Sequence, residues 1–398
     1  MKPDSSRLVI VFACLAHFYQ HALAALFLTV VLVLERRWNL PYDTLIVLWT
    51  PGALLLGLGA PLAGWLSDRW GEARLMIVFF LGTGLATILC GLATSPVQMA
   101  LALALLGLFG SIDHPVGMAW AVKNAVGHGK VIGIVGVSGS LGYAVAAVVA
   151  GGLSDLITWR AAFIVPGILT ITTGAVLLWA LAAGWVVDRK EDLNPQPEAP
   201  RHDIKRAMVA LTVAMLIFSL VYSAFATAMP KWLSLGVGER LGEGLLGLGA
   251  LITGIYLLGG LAQLVGGPLA DRWSVKWVYV ASFLVKLPAL AIAAQLGGWP
   301  MVFAAIVIVF MVDIGAPAEN VLIARYSPSR HRGLAYGIRH VAGFITAPLG
   351  VQLVAWFYGW SEGFGGFFLT LSGLVLIALF AALALPADRR AAPRPSVV

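Results

Sequence analysis

Two histidines, His17 and His21, stand four residues apart in an otherwise apolar stretch, so a helix would place them on one face, a single turn apart. Imidazole titrates near pH 6.5, which suits proton exchange or the pairing of an anion. Asp113 and His114 stand immediately before Pro115 in a second apolar stretch, where the proline frees a backbone carbonyl for a polar partner. Consecutive α-helical side chains point about 100° apart, so only one of these two need face a cavity. Asp313 lies in a third stretch with Glu319 and Asn320 beyond it, and Arg339 and His340 lie about two turns into a fourth. An ionisable group at the centre of a bilayer costs at least about 2.5–3.5 kcal/mol, so each needs a partner, a wet cavity or a function. Arg339 keeps its charge and offers a planar fork of donors, which fits a carboxylate or phosphonate ligand, or a standing bridge to Asp313 or Glu319. The ligand-contact candidates are His17, His21, His114, Tyr222, Asn320, Arg339 and His340, and the proton-carrying candidates are His17, His21, Asp113, Asp313 and Glu319.

The elements that position these groups must be membrane helices. The chain has 398 residues, 60% hydrophobic and 11% charged, with a mean hydropathy of +0.91, against about 25% charge in a soluble chain. Twelve apolar spans are expected, at 8–34, 44–66, 75–94, 97–122, 131–153, 161–186, 207–229, 244–266, 277–296, 300–324, 333–358 and 364–385. The first is too long for a signal-peptide core and lacks a small-residue cleavage site, so it reads as a retained helix. With both termini on one side, that side carries nineteen Lys and Arg and the other five, which places the termini in the cytoplasm. The same distribution argues for a lipid bilayer rather than a nucleic acid as the partner of the net +7 charge. Residues 187–206, with three prolines and ten charged side chains, read as a cytoplasmic linker between six-helix units at 1–186 and 207–398. Cys14 and Cys90 fall near opposite membrane faces and are not expected to pair.

The halves repeat. Gly64-Trp-Leu-Ser-Asp-Arg-Trp70 returns as Gly267-Pro-Leu-Ala-Asp-Arg-Trp273, and Gly129-x3-Gly133 as Gly333-x3-Gly337, at offsets of 203 and 204 residues. Related bundles facing one another can expose a site between them to either side in turn. No Walker loop, H-E-x-x-H, G-x-S-x-G or cysteine metal spacing is present, so an enzyme is not expected.

In these features the chain resembles the major facilitator superfamily. Its cytoplasmic signature G-x-L-x-D-R-x-G-x-x-R stands complete at Gly64, Leu66, Asp68, Arg69, Gly71 and Arg74, and a weaker copy carries Asp271 and Arg272. The resemblance implies twelve helices in two pseudo-symmetric six-helix bundles, a cavity lined by helices 1, 4, 7 and 10, alternating access without ATP, and a gate in which Asp68 latches the halves through the start of helix 11. It also implies that helix 9 lies outside the cavity, so Lys286 is expected to pack or to snorkel. His17 and the Gly110-Ser-Ile-Asp-His-Pro115 segment are similar to the fosmidomycin-resistance type of facilitator, with His21 standing where that group has an acid. Efflux members share a small-residue pattern on helix 5, met here by Gly133, Gly142, Ala146, Ala147, Ala150 and Gly151 without its proline. The expected function is therefore proton-coupled transport, export favoured, of a small organic anion or drug-like compound by a monomer of a bacterial-type inner membrane, with no cofactor besides the proton gradient. Alternatives are proton symport of an organic acid such as a monocarboxylate, a non-transporting sensor, and divalent-metal transport through His17, His21, His114 and Asp113. No resident metal is expected.

Overall fold

The computed structural model describes residues 5–124, 128–187, 204–326 and 332–386. The helices are α1 (Ser5–Trp38), α2 (Tyr42–Leu58 continued by Ala60–Trp70), α3 (Glu72–Leu92), α4 (Pro96–Lys123), α5 (His128–Leu156), α6 (Ala161–Ala182), α7 (Ile204–Val237), α8 (Leu246–Arg272), α9 (Val275–Ala293), α10 (Trp299–Tyr326), α11 (Arg332–Ser361) and α12 (Gly365–Leu383). Ten of these pass as apolar spans by length and composition, and the two pieces of α2 make an eleventh. The remaining helix, α11, has 30 residues, ample for about 30 Å of hydrocarbon, but its first turns carry Arg332, Arg339 and His340.

Helices satisfy their own backbone hydrogen bonds, which hydrocarbon cannot do for them. The core is apolar, yet so are many outward side chains, among them Leu101, Ile168, Leu261, Phe303 and Phe380. An aqueous surface of that kind would aggregate; a bilayer matches it.

Packing within the halves is parallel in kind. α1 lies on α5, α2 on α4 and α3 on α6; the counterparts are α7 on α11, α8 on α10 and α9 on α12. The bundles meet along two related seams, α5 with α8 and α2 with α11. Small residues face each other where α3 and α6 approach: a Cβ on Gly84 would stand 2.7 Å from the carbonyl of Gly167, and one on Gly167 would stand 2.8 Å from that of Gly84.

Two helices depart from the regular form, and both departures lie beside the predicted site. α2 bends by 45° at Gly59, where Pro61 removes one backbone donor. A Cβ at Gly59 would collide with the side chain of Ser111, so the bend seats α2 against α4 just before Asp113. In α4, Asp113–Gly117 form a π-helical turn around Pro115.

The expected spans hold in order; most starts and several ends reach further out than expected, Val237 against 229 the furthest, while α3, α6, α9 and α12 stop two to four residues short of the expected end. α7 begins at Ile204, and most of the expected linker, 188–203, lies outside the described residues. Cys14 and Cys90 are free thiols.

Candidate functional site

The middle of α1 presents His17 and His21, and the π turn of α4 presents Asp113 and His114 to them. The Asp113 carboxylate accepts a hydrogen bond from His17 Nδ1 at 2.8 Å, with both side chains buried. The imidazole of His17 meets His21 edge-on at 4.6 Å between centroids and His114 at 4.9 Å. Asp113 and His114 both face the cluster, within a π turn that holds more residues per turn and so narrows the angle between neighbouring side chains.

Room for these rings comes from α5. A Cβ on Gly139 would stand 2.7 Å from Cδ2 of both His17 and His21, and a Cβ on Gly142 would strike the carbonyl of Phe18. The small-residue pattern of α5 thus lets α1 approach with two imidazoles in the seam. Gly139→Ala is expected to destabilise the fold by about 1–3 kcal/mol through overpacking and to impair transport at unchanged expression. Thermal melting beside a transport assay checks it; wild-type behaviour in both would show that the rings move aside freely.

The same helix continues the site into the second half. His21 lies 4.9 Å from the ring of Tyr143, which stacks on Tyr256 at 5.2 Å and meets Tyr222 edge-on at 5.8 Å. Gln263 on α8 donates to Ser140 Oγ on α5 at 2.8 Å and to Asp313 Oδ1 on α10 at 2.7 Å. From α11, Phe344 covers His114 at 4.7 Å. Two strings thus cross the bundle interface from neighbouring positions on α5, an aromatic one from Asp113 through His17, His21 and Tyr143 to Tyr222 and Tyr256, and a polar one from Ser140 through Gln263 to Asp313.

Glu319 sits deeper in the second half, buried, accepting from the Tyr279 hydroxyl at 2.7 Å. Lys286 is 1% exposed, so it does not snorkel; its Nζ lies 4.3 Å from the ring of Phe283 and 4.5 Å from that of Phe218, within electrostatic reach of Glu319 and Asp313. The ammonium turns inward because the two rings and the two carboxylates offer it more than the lipid side does. Asn320 is half-buried beside Glu319. The side chains of Arg339 and His340 lie outside the described residues, as do those of Asp271 and Arg272. Of the other gate positions, Asp68, Arg69 and Arg74 are exposed, with the Arg69 guanidinium 3.5 Å above Trp65. Gly71 has φ +86° and ψ 150°, a conformation essentially reserved for glycine, and it alone joins α2 to α3.

Sequence reasoning missed the closure of the face opposite the termini. Lys231 Nζ on α7 donates to both carboxylate oxygens of Glu35 on α1, at 2.7 and 2.9 Å. Asp155, ending α5, accepts from the backbone N–H groups of Leu245 and Leu246 at 2.7 Å each, capping α8. Tyr42 donates to the Thr227 carbonyl, and Gln352 to Thr50. Every one of these bonds joins one bundle to the other. Near the termini, in contrast, described contacts such as Lys123 with Glu72, Arg206 with Ala384 and Lys276 with Leu383 stay within one bundle. The signal was present in the sequence as charges at span ends, but nothing there paired them across an interval of 196 residues.

The family model described as Major Facilitator Superfamily matches residues 10–259 and, in a second alignment, 211–397. The chain belongs to this superfamily. Among curated relatives, this facilitator is 26% identical over 367 residues to the class C tetracycline resistance protein of Escherichia coli, covering 88% of this chain and 87% of that protein. It is 24% identical over 378 residues to the gentisate transporter of Corynebacterium glutamicum, covering 89% and 81%. Among solved structures, a bacterial homologue of the human lysosomal transporter Spinster, crystallised inward-facing and occupied, superposes with a TM-score of 0.70 over 97% of this chain and 95% of that one, at 14% identity. The facilitator is thus a multi-pass membrane transporter of a small molecule and not an enzyme.

Proposed function

We propose that the protein is a proton-coupled secondary transporter that exports a small organic anion or drug-like compound across a bacterial inner membrane, working as a monomer with both termini in the cytoplasm and the proton gradient as its only energy source. The observation that carries this reading is the buried His17–Asp113 pair, set against His21 and His114 at the bundle interface. A group that gains and loses protons there alters the charge that an anionic substrate meets. The strings through Tyr143 to Tyr222 and Tyr256 and from Ser140 through Gln263 to Asp313 support coupling of that change to the second bundle, with Glu319 a further proton carrier. Arg339 and His340 are the further anion-contact candidates, on the chemistry of a permanent guanidinium beside an imidazole.

On this reading the closed face is external and the protein rests inward-facing, with Asp68, Arg69 and the matching Asp271 and Arg272 forming the cytoplasmic gate of the return state. The tetracycline resistance relative favours export, and gentisate, named for the other relative, is an aromatic carboxylate. Purified protein in liposomes with an imposed pH gradient tests it, using a panel of radiolabelled aromatic and aliphatic carboxylates. Counter-gradient movement of a carboxylate that collapses when a protonophore is added is expected; transport indifferent to the proton gradient would overturn the coupling.

A further inference from the structure

We infer that His17, His21 and His114 form a binding site for one divalent transition-metal ion, of the zinc, cobalt or nickel kind, with Asp113 as the group that orients it. Each histidine offers one ring nitrogen, and the three nitrogens lie within 4.8 Å of one another. Tetrahedral coordination at about 2.0–2.1 Å per bond needs ligand nitrogens about 3.4 Å apart, so modest ring rotations close the set on an ion. The backbone frame already suits it. Histidines four residues apart on one helix are a spacing that chelates zinc, and the third ligand comes from the π turn of α4 facing them.

The pairing of His17 decides the chemistry further. Its Nδ1 is held by the Asp113 carboxylate at 2.8 Å, which leaves Nε2 as the ligating atom and raises its basicity, the arrangement in which a carboxylate buttresses a metal-bound imidazole. His17 and His114 are buried and His21 is half-buried, so a three-imidazole site here would keep its fourth position toward His21 and Tyr143, the side continuous with the bundle interface. Neutral nitrogen donors without thiolates or a carboxylate in direct contact select borderline transition metals over calcium or magnesium. Gly139 is part of the design, because any larger residue would push into both rings of the α1 pair.

The ion shares its place with the protons and anions of the proposed transport cycle, so its binding is measured without transport. Tag-free protein in detergent is titrated with Zn2+ by calorimetry and with Co2+ by visible absorption, beside Mg2+ as control. One Zn2+ per chain, a tetrahedral-type Co2+ spectrum and no Mg2+ heat are expected. His21→Gln and His114→Gln should each weaken Zn2+ binding at least about tenfold, and Asp113→Asn about 10–100-fold through loss of the buttress. A double change at His128 and His202, distant in sequence from the cluster, should leave it intact. Absence of saturable binding, an octahedral Co2+ spectrum, or affinity unchanged in a folded His17→Gln, His21→Gln, His114→Gln variant would each overturn the site. If that triple variant fails to fold, the wild-type Co2+ spectrum and the single variants still decide.

Discussion

Asp113→Asn is expected to abolish gradient-driven transport while leaving the protein folded and able to exchange substrate across the membrane. Asparagine keeps the size of the side chain, and its oxygen still reaches His17 Nδ1, but it carries neither a charge nor a removable proton. A hydrogen bond to a charged group contributes about 1.5–3 kcal/mol against about 1 kcal/mol for a neutral one, so the pair is weakened but not lost. Counterflow, which needs no net proton movement, should persist in proteoliposomes at half the wild-type rate or better, on the order of the effect of a neutral hydrogen-bond swap. Should gradient-driven transport survive in Asp113→Asn and also in the double change His17→Gln with His21→Gln, the proton travels elsewhere. Asp313, held by Gln263, and Glu319, held by Tyr279, would then be the carriers to test.

The second large effect concerns the face opposite the termini. Glu35→Gln is expected to loosen the closed state and shift the protein toward opening at that face, because the buried Lys231 charge loses its carboxylate counter-charge and keeps a neutral amide acceptor and the rings of Tyr42 and Tyr358, each 5.2 Å away. Breaking a fully buried pair costs about 3–5 kcal/mol and an exposed one about 0–1 kcal/mol. The Glu35 side chain is 28% exposed and that of Lys231 9%, which places the cost between, at about 1–3 kcal/mol. A shift of that size changes the ratio of the two states roughly 5- to 150-fold. Accessibility of single cysteines introduced beside Thr29 and Met229 to an impermeant thiol reagent reads the shift directly. Adding Lys231→Gln should restore both stability and closure, since no unpaired charge remains. Equal labelling in wild type and Glu35→Gln would remove the pair from any gating role.

Much of this molecule was written in its hydropathy. A bilayer of fixed thickness demands spans of fixed length, and a polar backbone in hydrocarbon demands helices, so twelve elements and their order follow from the sequence without tertiary information. The duplicated gate signature likewise announced two related halves. The pairing of His17 with His21 was legible for the same reason: two residues one turn apart on one helix are neighbours whatever the helix packs against.

Contacts between helices were not legible in this way, because they depend on how each helix is rotated about its axis and where it bends. Regular α-helical geometry left open whether both Asp113 and His114 face inward; in the π turn at Pro115, seated beside the bend at Gly59, both meet His17. A helix assigned to the outside left Lys286 either to pack or to snorkel; Phe218 from α7 and Phe283 make a buried place for it, so it packs. Ser140, Tyr143 and Gln263 carry no charge and drew no attention in the sequence, yet they bridge the two halves once α5 and α8 are packed. The sequence by itself determined which residues had to lie in the membrane and on which helix. Only the tertiary structure decided which of them meet, because the bilayer acts on each span separately while the site is made where seven of them converge.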